Sequence, residues 1–388
     1  MTHPRACTWR RFALPMFVLL LAVDLLRAQY PPLAPTVNTT IVVPAGALHY
    51  SSINIPAGVT VRFVAPGVGP ASIPGMPTVL RCDGDAIVHG TLSLAGDFIN
   101  DSPAGWVTTG QGTLGLDCGT PGAFFPPTGG RHNYGSIFPF SLEGGSPGGV
   151  LGIYTNFCSQ FVYSVDGGDG GGTLVLLASG RIEVHGTVTA NGQDGFFPSS
   201  LTSSGAGSGG SILLRGDAGV RVFPGASVTA SGGFGVPTFP PYQPGMCNGS
   251  NGNIRIDAWG APPVIQGTVY PTPSVVELPF LRALSQPNIG TTWTLQVFAP
   301  DTGWVYVAAA LGPSSGTPTP FGLVGIDLAT SARIALLTPQ SSHDPYVTVQ
   351  WPIPNTASLV GFAMWLQAIA VPQSLPARVT NTIAVVVQ

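Results

Sequence analysis

Short runs of alternating apolar and polar residues, separated by glycine, recur through the first two-thirds of the chain. The clearest unit spans residues 173–192, where Leu174 and Leu176 lie on one face of a first strand. A second run, over residues 182–190, alternates in the same way. Each unit is therefore predicted to form two short strands that are buried on one face.

Similar units flank this one, at residues 79–96, 211–232 and 254–269. The corner glycines Gly186, Gly225 and Gly267 are spaced by 39 and 42 residues. A repeat of this size cannot bury its apolar face alone, so its copies must stack. Because each unit offers two strands, whereas a propeller blade needs four, the pattern favours an all-β fold in which residues 36–276 form a right-handed β-helix. Pro-Ala-Gly at 56–58 is expected to form a corner, where glycine supplies an unusual φ.

A long segment over residues 97–172, rich in glycine and aromatic residues, interrupts the repeat. Long segments with little regular pattern are usually functional or mobile, so we expect this one to project as a contact surface. The candidate binding residues are Trp106, Phe124, Phe125, Tyr134 and Tyr154. The alternative is that these aromatic residues form a small core of the segment itself. Shorter glycine-rich excursions are expected at 193–210 and 233–252.

The pattern changes near Glu277, where glycine becomes rarer and alternating runs follow at even spacing. About seven short strands, divided by Pro, Asn and Ser turns, predict a β-sandwich domain over residues 278–388. This domain is also expected to cover the last rung of the helix, whose edge would otherwise expose unpaired backbone groups.

The N-terminus has the pattern of an export signal. Three arginines precede an apolar run over residues 12–23, and Ala28 offers a small residue before a cleavage point. We expect residues 1–28 to be a signal peptide of a secreted or cell-surface protein, with a retained anchor as the alternative. No later segment is long and apolar enough for a transmembrane helix.

Removal of residues 1–28 would leave ten basic and sixteen acidic residues, a net charge of about −6. Nucleic acid is therefore an unfavourable partner. All fourteen basic residues are arginine, which indicates GC-rich codon usage and a bacterial source.

The predicted mature chain has four cysteines, namely Cys82, Cys118, Cys158 and Cys247. An even number in an exported chain favours two disulfides, and the sequence leaves all three pairings open. Cys118 and Cys158 both lie within the long segment, where a disulfide would close it locally. No Cys-x-x-Cys pair is present, so these residues are not expected to bind zinc.

Two metal sites can be weighed against simpler structural roles. His89 and His185 occupy equivalent repeat positions and could stack on adjacent rungs, either as a metal site or as ordinary corner residues. Asp166 and Asp169, and likewise Asp83 with Asp85, could offer oxygen ligands to calcium, but Asp-Gly pairs are also common in turns. We expect no cofactor, with calcium as the alternative.

An enzyme is the alternative function, since polysaccharide lyases and glycoside hydrolases also use β-helix scaffolds. Hydrolases need two carboxylic acids that face one substrate. The acidic residues here are scattered over turns, without a paired motif or a Gly-x-Ser-x-Gly elbow. Catalytic residues are therefore not assigned.

Several local sequences carry a family resemblance. They are Ile-Asn-Ile-Pro-Ala-Gly at 53–58, Val-His-Gly-Thr-Val-Thr-Ala-Asn-Gly at 184–192, Gly-Ser-Gly-Gly-Ser-Ile-Leu-Leu at 207–214, Pro-Asn-Ile-Gly at 287–290, and Leu359, Gly361, Gln367 and Ala368. In this order the chain resembles the secreted, adhesin-like proteins of planctomycetes and myxobacteria. The resemblance implies a rigid β-helix that presents loops to an extracellular glycan or protein surface.

Overall fold

The computed structural model describes residues 30–43, 47–64, 78–95, 151–154, 161–165, 168–195, 205–235, 248–259, 261–299, 303–337, 346–372 and 376–388. Within these ranges the fold is all-β, with no α-helix, as the sequence predicts. Stacked parallel sheets are followed along the chain by antiparallel sheets. The signal-peptide prediction lies outside the described residues, and within them no helix is long and apolar enough to cross a membrane.

Three parallel sheets form the first part of the molecule. In spatial order, sheet A contains β3 (Ile53–Ile55), β6 (Ala86–Val88), β11 (Ile182–Val184), β14 (Val220–Val222) and β17 (Val264–Ile265). Sheet B contains β1 (Thr39–Val42), β4 (Thr60–Val64), β7 (Thr91–Ser93), β12 (Thr187–Thr189), β15 (Ser227–Thr229) and β18 (Thr268–Tyr270). Sheet C contains β2 (Leu48–Tyr50), β5 (Thr78–Cys82), β10 (Thr173–Ala178), β13 (Ser211–Gly216), β16 (Asn253–Trp259) and β19 (Ser274–Leu278).

The chain visits these sheets cyclically, in the order C, A, B, so that each turn adds one parallel strand to every sheet. This path is compatible with a β-helix or solenoid. The sequence pattern predicted two strands in each unit, but the structure has three, because the second predicted strand divides at Gly186 into β11 and β12. A Cβ atom at Gly186 would lie 2.0 Å from the carbonyl oxygen of Gly90, so only glycine fits this tight corner.

A second type of corner uses glycine for its backbone conformation. Gly58 and Gly225 have φ angles of +78° and +81°, with open space where a Cβ would lie. This confirms the expected unusual φ after Pro-Ala at residues 56–57.

The interior of the stack is apolar in the described rungs, apart from the inward, fully buried Thr78 of β5. Inward side chains such as Ile182, Val184 and Val188 have no exposed surface, and residues from all three sheets join one core cluster. The alternation in the sequence thus correctly identifies the core-facing positions.

A bundle of glycine-rich segments fills the space between sheets B and C. Its segments, which we call the glycine bundle, are residues 168–172, 190–195, 205–210, 230–235 and 248–252. The N–H groups of Gly168 and Gly171 donate to the carbonyls of Gly205 and Ser208, at 2.8 and 2.9 Å. This three-residue spacing matches the three residues per turn of a polyproline II helix. The excursions expected at 193–210 and 233–252 therefore begin and end within packed structure.

Antiparallel sheets form the C-terminal part of the molecule. One contains β20 (Phe280–Ala283), β21 (Thr292–Phe298) and β26 (Val347–Pro352). A second contains β25 (Ala332–Leu337), β22 (Trp304–Ala310), β27 (Ala363–Val371), β28 (Arg378–Val379) and β29 (Ile383–Val386), and β23 (Pro313–Thr319) pairs with β24 (Gly322–Ile326). A short 3₁₀ helix spans Ala357–Leu359.

The two larger antiparallel sheets share one buried core. Trp293 and Leu295 of the first sheet and Val307 and Leu366 of the second belong to the same cluster. Trp259 of sheet C joins that cluster, so the C-terminal part packs directly against the parallel stack. Parallel pairing ends at Leu278 and antiparallel pairing begins at Phe280, near the predicted boundary of the second domain. The division into domains itself stays a prediction.

Candidate functional site

The outer side of sheet B carries side-chain hydroxyls on successive rungs. Because Val61, Leu92, Val188 and Val228 point into the core, their neighbours along each strand point outward. We call these outward residues the hydroxyl face: Thr60, Thr91, Ser93, Thr187, Thr189, Ser227, Thr229 and Thr268. They form two columns that run from rung to rung, with Arg62 at one end and Tyr270 at the other.

Hydroxyl groups in neighbouring rungs of this face are hydrogen-bonded to one another. The hydroxyls of Thr187 and Ser227 are 3.1 Å apart, and Thr229 Oγ1 donates to Thr189 Oγ1 at 3.2 Å. These contacts follow directly from the parallel register, which pairs Thr187 with Ser227 and Thr189 with Thr229. The result is a regular, uncharged array of donors and acceptors.

A corner between sheets A and B stacks three rings. The ring centroids of His89 and His185 are 4.4 Å apart, and those of His185 and Phe223 are 3.9 Å apart. His185 Nε2 also lies 3.4 Å from Glu183 Oε2. The expected stacking on adjacent rungs is present, and the described residues contain no group of three metal-ligating side chains. The rings therefore form a stacked ladder at this corner.

Of the candidate calcium ligands, Asp85 has its carboxylate in contact with an arginine. Asp85 Oδ1 accepts a hydrogen bond of 2.9 Å from the Arg181 N–H, and its other oxygen lies 3.5 Å from Arg181 Nε. Asp169 lies in the glycine bundle, where its N–H donates to Gln193 Oε1 at 2.7 Å. Asp166 lies outside the described residues.

The outer side of sheet C is buried and partly charged. Four of its charged residues, which we call the arginine–aspartate cluster, are Arg215, Asp217, Arg255 and Asp257, all less than 9% exposed; Arg81 is a further buried charge on this side. Arg255 Nε contacts Asp257 Oδ1, and Arg215 Nε lies 3.6 Å from Asp217 Oδ1. Complete burial raises the pKa of Asp257, and the adjacent Arg255 opposes this shift.

The C-terminal part covers this cluster. Arg215 donates a hydrogen bond to the carbonyl oxygen of Ala299, and the guanidinium of Arg255 lies 5.1 Å from the ring centroid of Phe298. A glycan chain therefore has no access to Asp257 in this arrangement. The cluster serves the contact between the two parts of the molecule.

The structure corrects the prediction that Cys82 forms a disulfide. Cys82 is a free thiol, 2% exposed within the core of the stack, and its Sγ donates to the carbonyl oxygen of Asp85 at 3.2 Å. Burial raises the pKa of this thiol, which disfavours the reactive thiolate. Cys82 lies at an inward position of β5, in register with Ala178, and this position makes it a core residue. Cys118, Cys158 and Cys247 lie outside the described residues.

Of the five aromatic candidate binding residues, only one lies among the residues that the structure describes. Trp106, Phe124, Phe125 and Tyr134 lie outside the described residues, and Tyr154 lies on β8 (Leu151–Tyr154). That strand pairs with β9 (Phe161–Val165) as an antiparallel hairpin within the long segment.

A groove of about 570 Å³ lies where β19 meets the C-terminal part. Its walls include the exposed side chains of Phe321 and Leu323, and Glu277 contributes its one carboxylate. Glycoside hydrolysis commonly uses two carboxylates, so the groove does not provide that pair.

No protein-family model, curated protein or solved structure matches this chain.

What the site can do therefore follows from its chemistry alone. The hydroxyl face offers hydrogen bonds without charge, whereas the arginine–aspartate cluster is sealed from solvent. The sequence pattern predicted strands buried on one face, but the alignment of Thr and Ser into columns depends on the register between rungs. The hydroxyl face itself carries groups suited to hydrogen bonds with a neutral partner.

Proposed function

We propose that the chain is an exported binding protein in which a right-handed β-helix holds a projecting segment against a glycan or protein surface. A right-handed path is favoured because crossovers between parallel strands of one sheet are right-handed in about 98% of cases. The shared core of the two larger antiparallel sheets supports a β-sandwich after residue 278.

One observation carries the functional proposal. The strands on either side of the long segment pair directly with each other, as β7 with β12 and β5 with β10. The rung pairing is therefore continuous across the long segment. Loops that extend from a rigid scaffold are where binding residues concentrate. Its aromatic residues suit stacking on sugars or on a protein surface.

A segment replacement tests this proposal. Residues 98–166 are replaced by a short Gly-Ser linker, so that Gly168 and Gly171 keep their bonds within the glycine bundle. We expect the shortened chain to keep its strand-rich circular dichroism and to lose binding on a glycan array and in a cell-surface pull-down. Unchanged binding by the shortened chain would show that the segment is not the contact surface.

Point variants test whether individual aromatic residues of the long segment contribute to binding. Trp106→Ala and Tyr134→Ala should each weaken binding, while Phe234→Ala is the matched control because Phe234 is 70% exposed in the glycine bundle. Equal loss in all three variants would contradict a specific role of the segment. Cleavage of any glycan by the intact chain would instead favour the polysaccharide lyase or hydrolase alternative.

The export proposal has a separate test. N-terminal sequencing of the chain recovered from the culture medium should begin near Gln29, after removal of residues 1–28. An intact Met1 on chain retained in the cytoplasm would contradict it.

A further inference from the structure

The outward residues of the hydroxyl face are more uniform in chemistry than the stacking of parallel strands requires. On sheet A, the outward position of successive rungs is Asn54, Ile87, Glu183, Arg221 and Val264, a mixture of amide, aliphatic, acidic and basic side chains. On sheet B, the corresponding positions of the three central rungs are all Ser or Thr. Strand formation alone therefore does not explain the hydroxyls, since sheet A stacks without them.

The array has two fixed spacings. Along a column, hydroxyls recur once per rung, about 4.7–4.9 Å apart, because this is the distance between hydrogen-bonded strands. Between the two columns the separation is two residues along a strand, about 6.4–6.8 Å. The bonds that link Thr187 with Ser227, and Thr229 with Thr189, hold neighbouring side chains in defined orientations. The face is thus a preorganised, nearly rectangular lattice of hydroxyl oxygens.

The chemistry of the face restricts its ligand. Between Arg62 and Tyr270 the two columns contain no charged or aromatic residue, so charged ligands gain nothing and single sugar rings have no stacking partner. Isolated hydroxyl hydrogen bonds are individually weak in water. They add up only when the ligand presents many acceptors and donors in a rigid repeat, because ordering costs are then already met.

We propose that the hydroxyl face binds ice. Ice is a neutral, rigid lattice of water oxygens, each able to donate and to accept hydrogen bonds, and its surface oxygens repeat at distances comparable to both spacings of the face. This site is separate from the projecting segment and does not depend on the function proposed for it.

The test measures inhibition of ice recrystallisation by the full chain. In Thr189→Tyr/Thr229→Tyr, two large rings on adjacent rungs break the flat array, while tyrosine retains a high preference for strands. The control Arg221→Tyr/Val264→Tyr places the same rings on adjacent, paired positions of sheet A. We expect the first variant to need at least about tenfold more protein for equal inhibition, the equivalent of about 1.4 kcal/mol. The control should match the unmodified chain.

Three results would overturn the inference. They are no inhibition by the folded, unmodified chain, equal inhibition by the Thr189→Tyr/Thr229→Tyr variant, or equal loss in the sheet A control. Co-sedimentation with crystalline cellulose and chitin forms a second arm. Binding there that depends on Thr189 and Thr229, without any effect on ice, would assign the face to ordered polysaccharide instead. The chain with residues 98–166 replaced should still inhibit recrystallisation, so this inference and the proposed function fail separately.

Discussion

Sheets B and C are built from the same turns of the chain, yet their outer sides differ completely. The outer side of sheet B carries exposed or half-buried hydroxyls, whereas that of sheet C carries the buried residues Val79, Leu213, Arg215 and Asp257. Both sheets point apolar residues inward in the same way. The alternation of the sequence thus defines the core-facing residues. The kind of side chain on each outer side depends instead on whether another part of the chain covers it.

The covering of sheet C is visible in its strand sequences. In β10 and β13 every residue is buried, and each strand contains an uninterrupted apolar run, residues 174–178 in β10 and 212–214 in β13, as is typical of strands covered on both faces. In β12 and β15 only the central residue is buried. The length of the uninterrupted apolar run, and not only the alternation period, therefore distinguishes a strand covered on both faces from a strand with one open face.

The largest effect on stability is expected at the covered side. Asp257→Ala removes the carboxylate that faces Arg255 and leaves a buried guanidinium without this partner, which should cost about 3–5 kcal/mol. Urea unfolding followed by circular dichroism measures the loss. Glu277→Ala is the control, because Glu277 is exposed on the next strand, and its change should stay within about 0.5 kcal/mol.

A double variant tests whether the charges of Arg255 and Asp257 are themselves needed for stability. Arg255→Met/Asp257→Leu replaces the pair by apolar side chains of similar size and should recover most of the stability lost in Asp257→Ala. Failure to recover would show that the charges themselves are required for docking of the C-terminal part.

The glycine bundle, which joins the two sheets, gives the next largest effect. A Cβ at Gly210 would lie 1.9 Å from the carbonyl oxygen of Gly172, so Gly210→Ala must displace backbone and should cost about 2–3 kcal/mol. Gly312→Ala is the matched control, since nothing lies within 4 Å of that site. Equal midpoints of thermal unfolding for both variants would contradict close packing of the bundle.

The buried thiol of Cys82 provides a chemical test of the inner side of sheet C. Its raised pKa and burial predict that iodoacetamide does not label it in the native chain and labels it after unfolding in urea. Mass spectrometry of the Cys82 peptide measures the difference. A Cys82 peptide cross-linked by a disulfide would contradict the free thiol and favour a disulfide at Cys82.

The pH dependence of stability tests the burial of Asp257. A pKa raised in the folded state means that the folded chain binds the proton more tightly than the unfolded chain. The stabilisation from this group is then fully present below the ordinary aspartate pKa of about 3.9 and is lost as pH rises through the folded value. We expect the stability advantage of the unmodified chain over Asp257→Asn to shrink as pH rises from 4. A constant advantage would contradict the raised pKa.

The sequence predicted the parts of the fold that depend on local alternation. Ile182, Val184 and Val188 are buried as their period implies, and the corner at Gly58 has the expected φ. It did not predict the break at Gly186, because that corner is set by contact with Gly90 on another rung. Such contacts between distant segments produce no periodic pattern of apolar residues in the local sequence.

The same reason explains what was missed at the candidate sites. The glycine bundle has a three-residue hydrogen-bonding period, which neither strand nor helix patterns detect. The arginine–aspartate cluster depends on docking of Ala299 and Phe298, which are distant in sequence from Arg215 and Arg255. The columns of the hydroxyl face were implicit in the repeat, but only the register shows that Thr189 and Thr229 touch.

The smallest effect on stability is expected at the open side, where the comparison between the sheets is sharpest. Thr189→Val/Thr229→Val removes the hydrogen bond between two neighbouring rungs but keeps side-chain shape and strand preference. Because both hydroxyls can otherwise bond to water, removing the pair together should change the free energy of unfolding by less than about 0.5 kcal/mol. Urea unfolding measures this, with Asp257→Ala as the reference for a covered position. A loss as large as that of Asp257→Ala would mean that the hydroxyl columns hold the stack together, and the array would then be structural rather than available for a ligand.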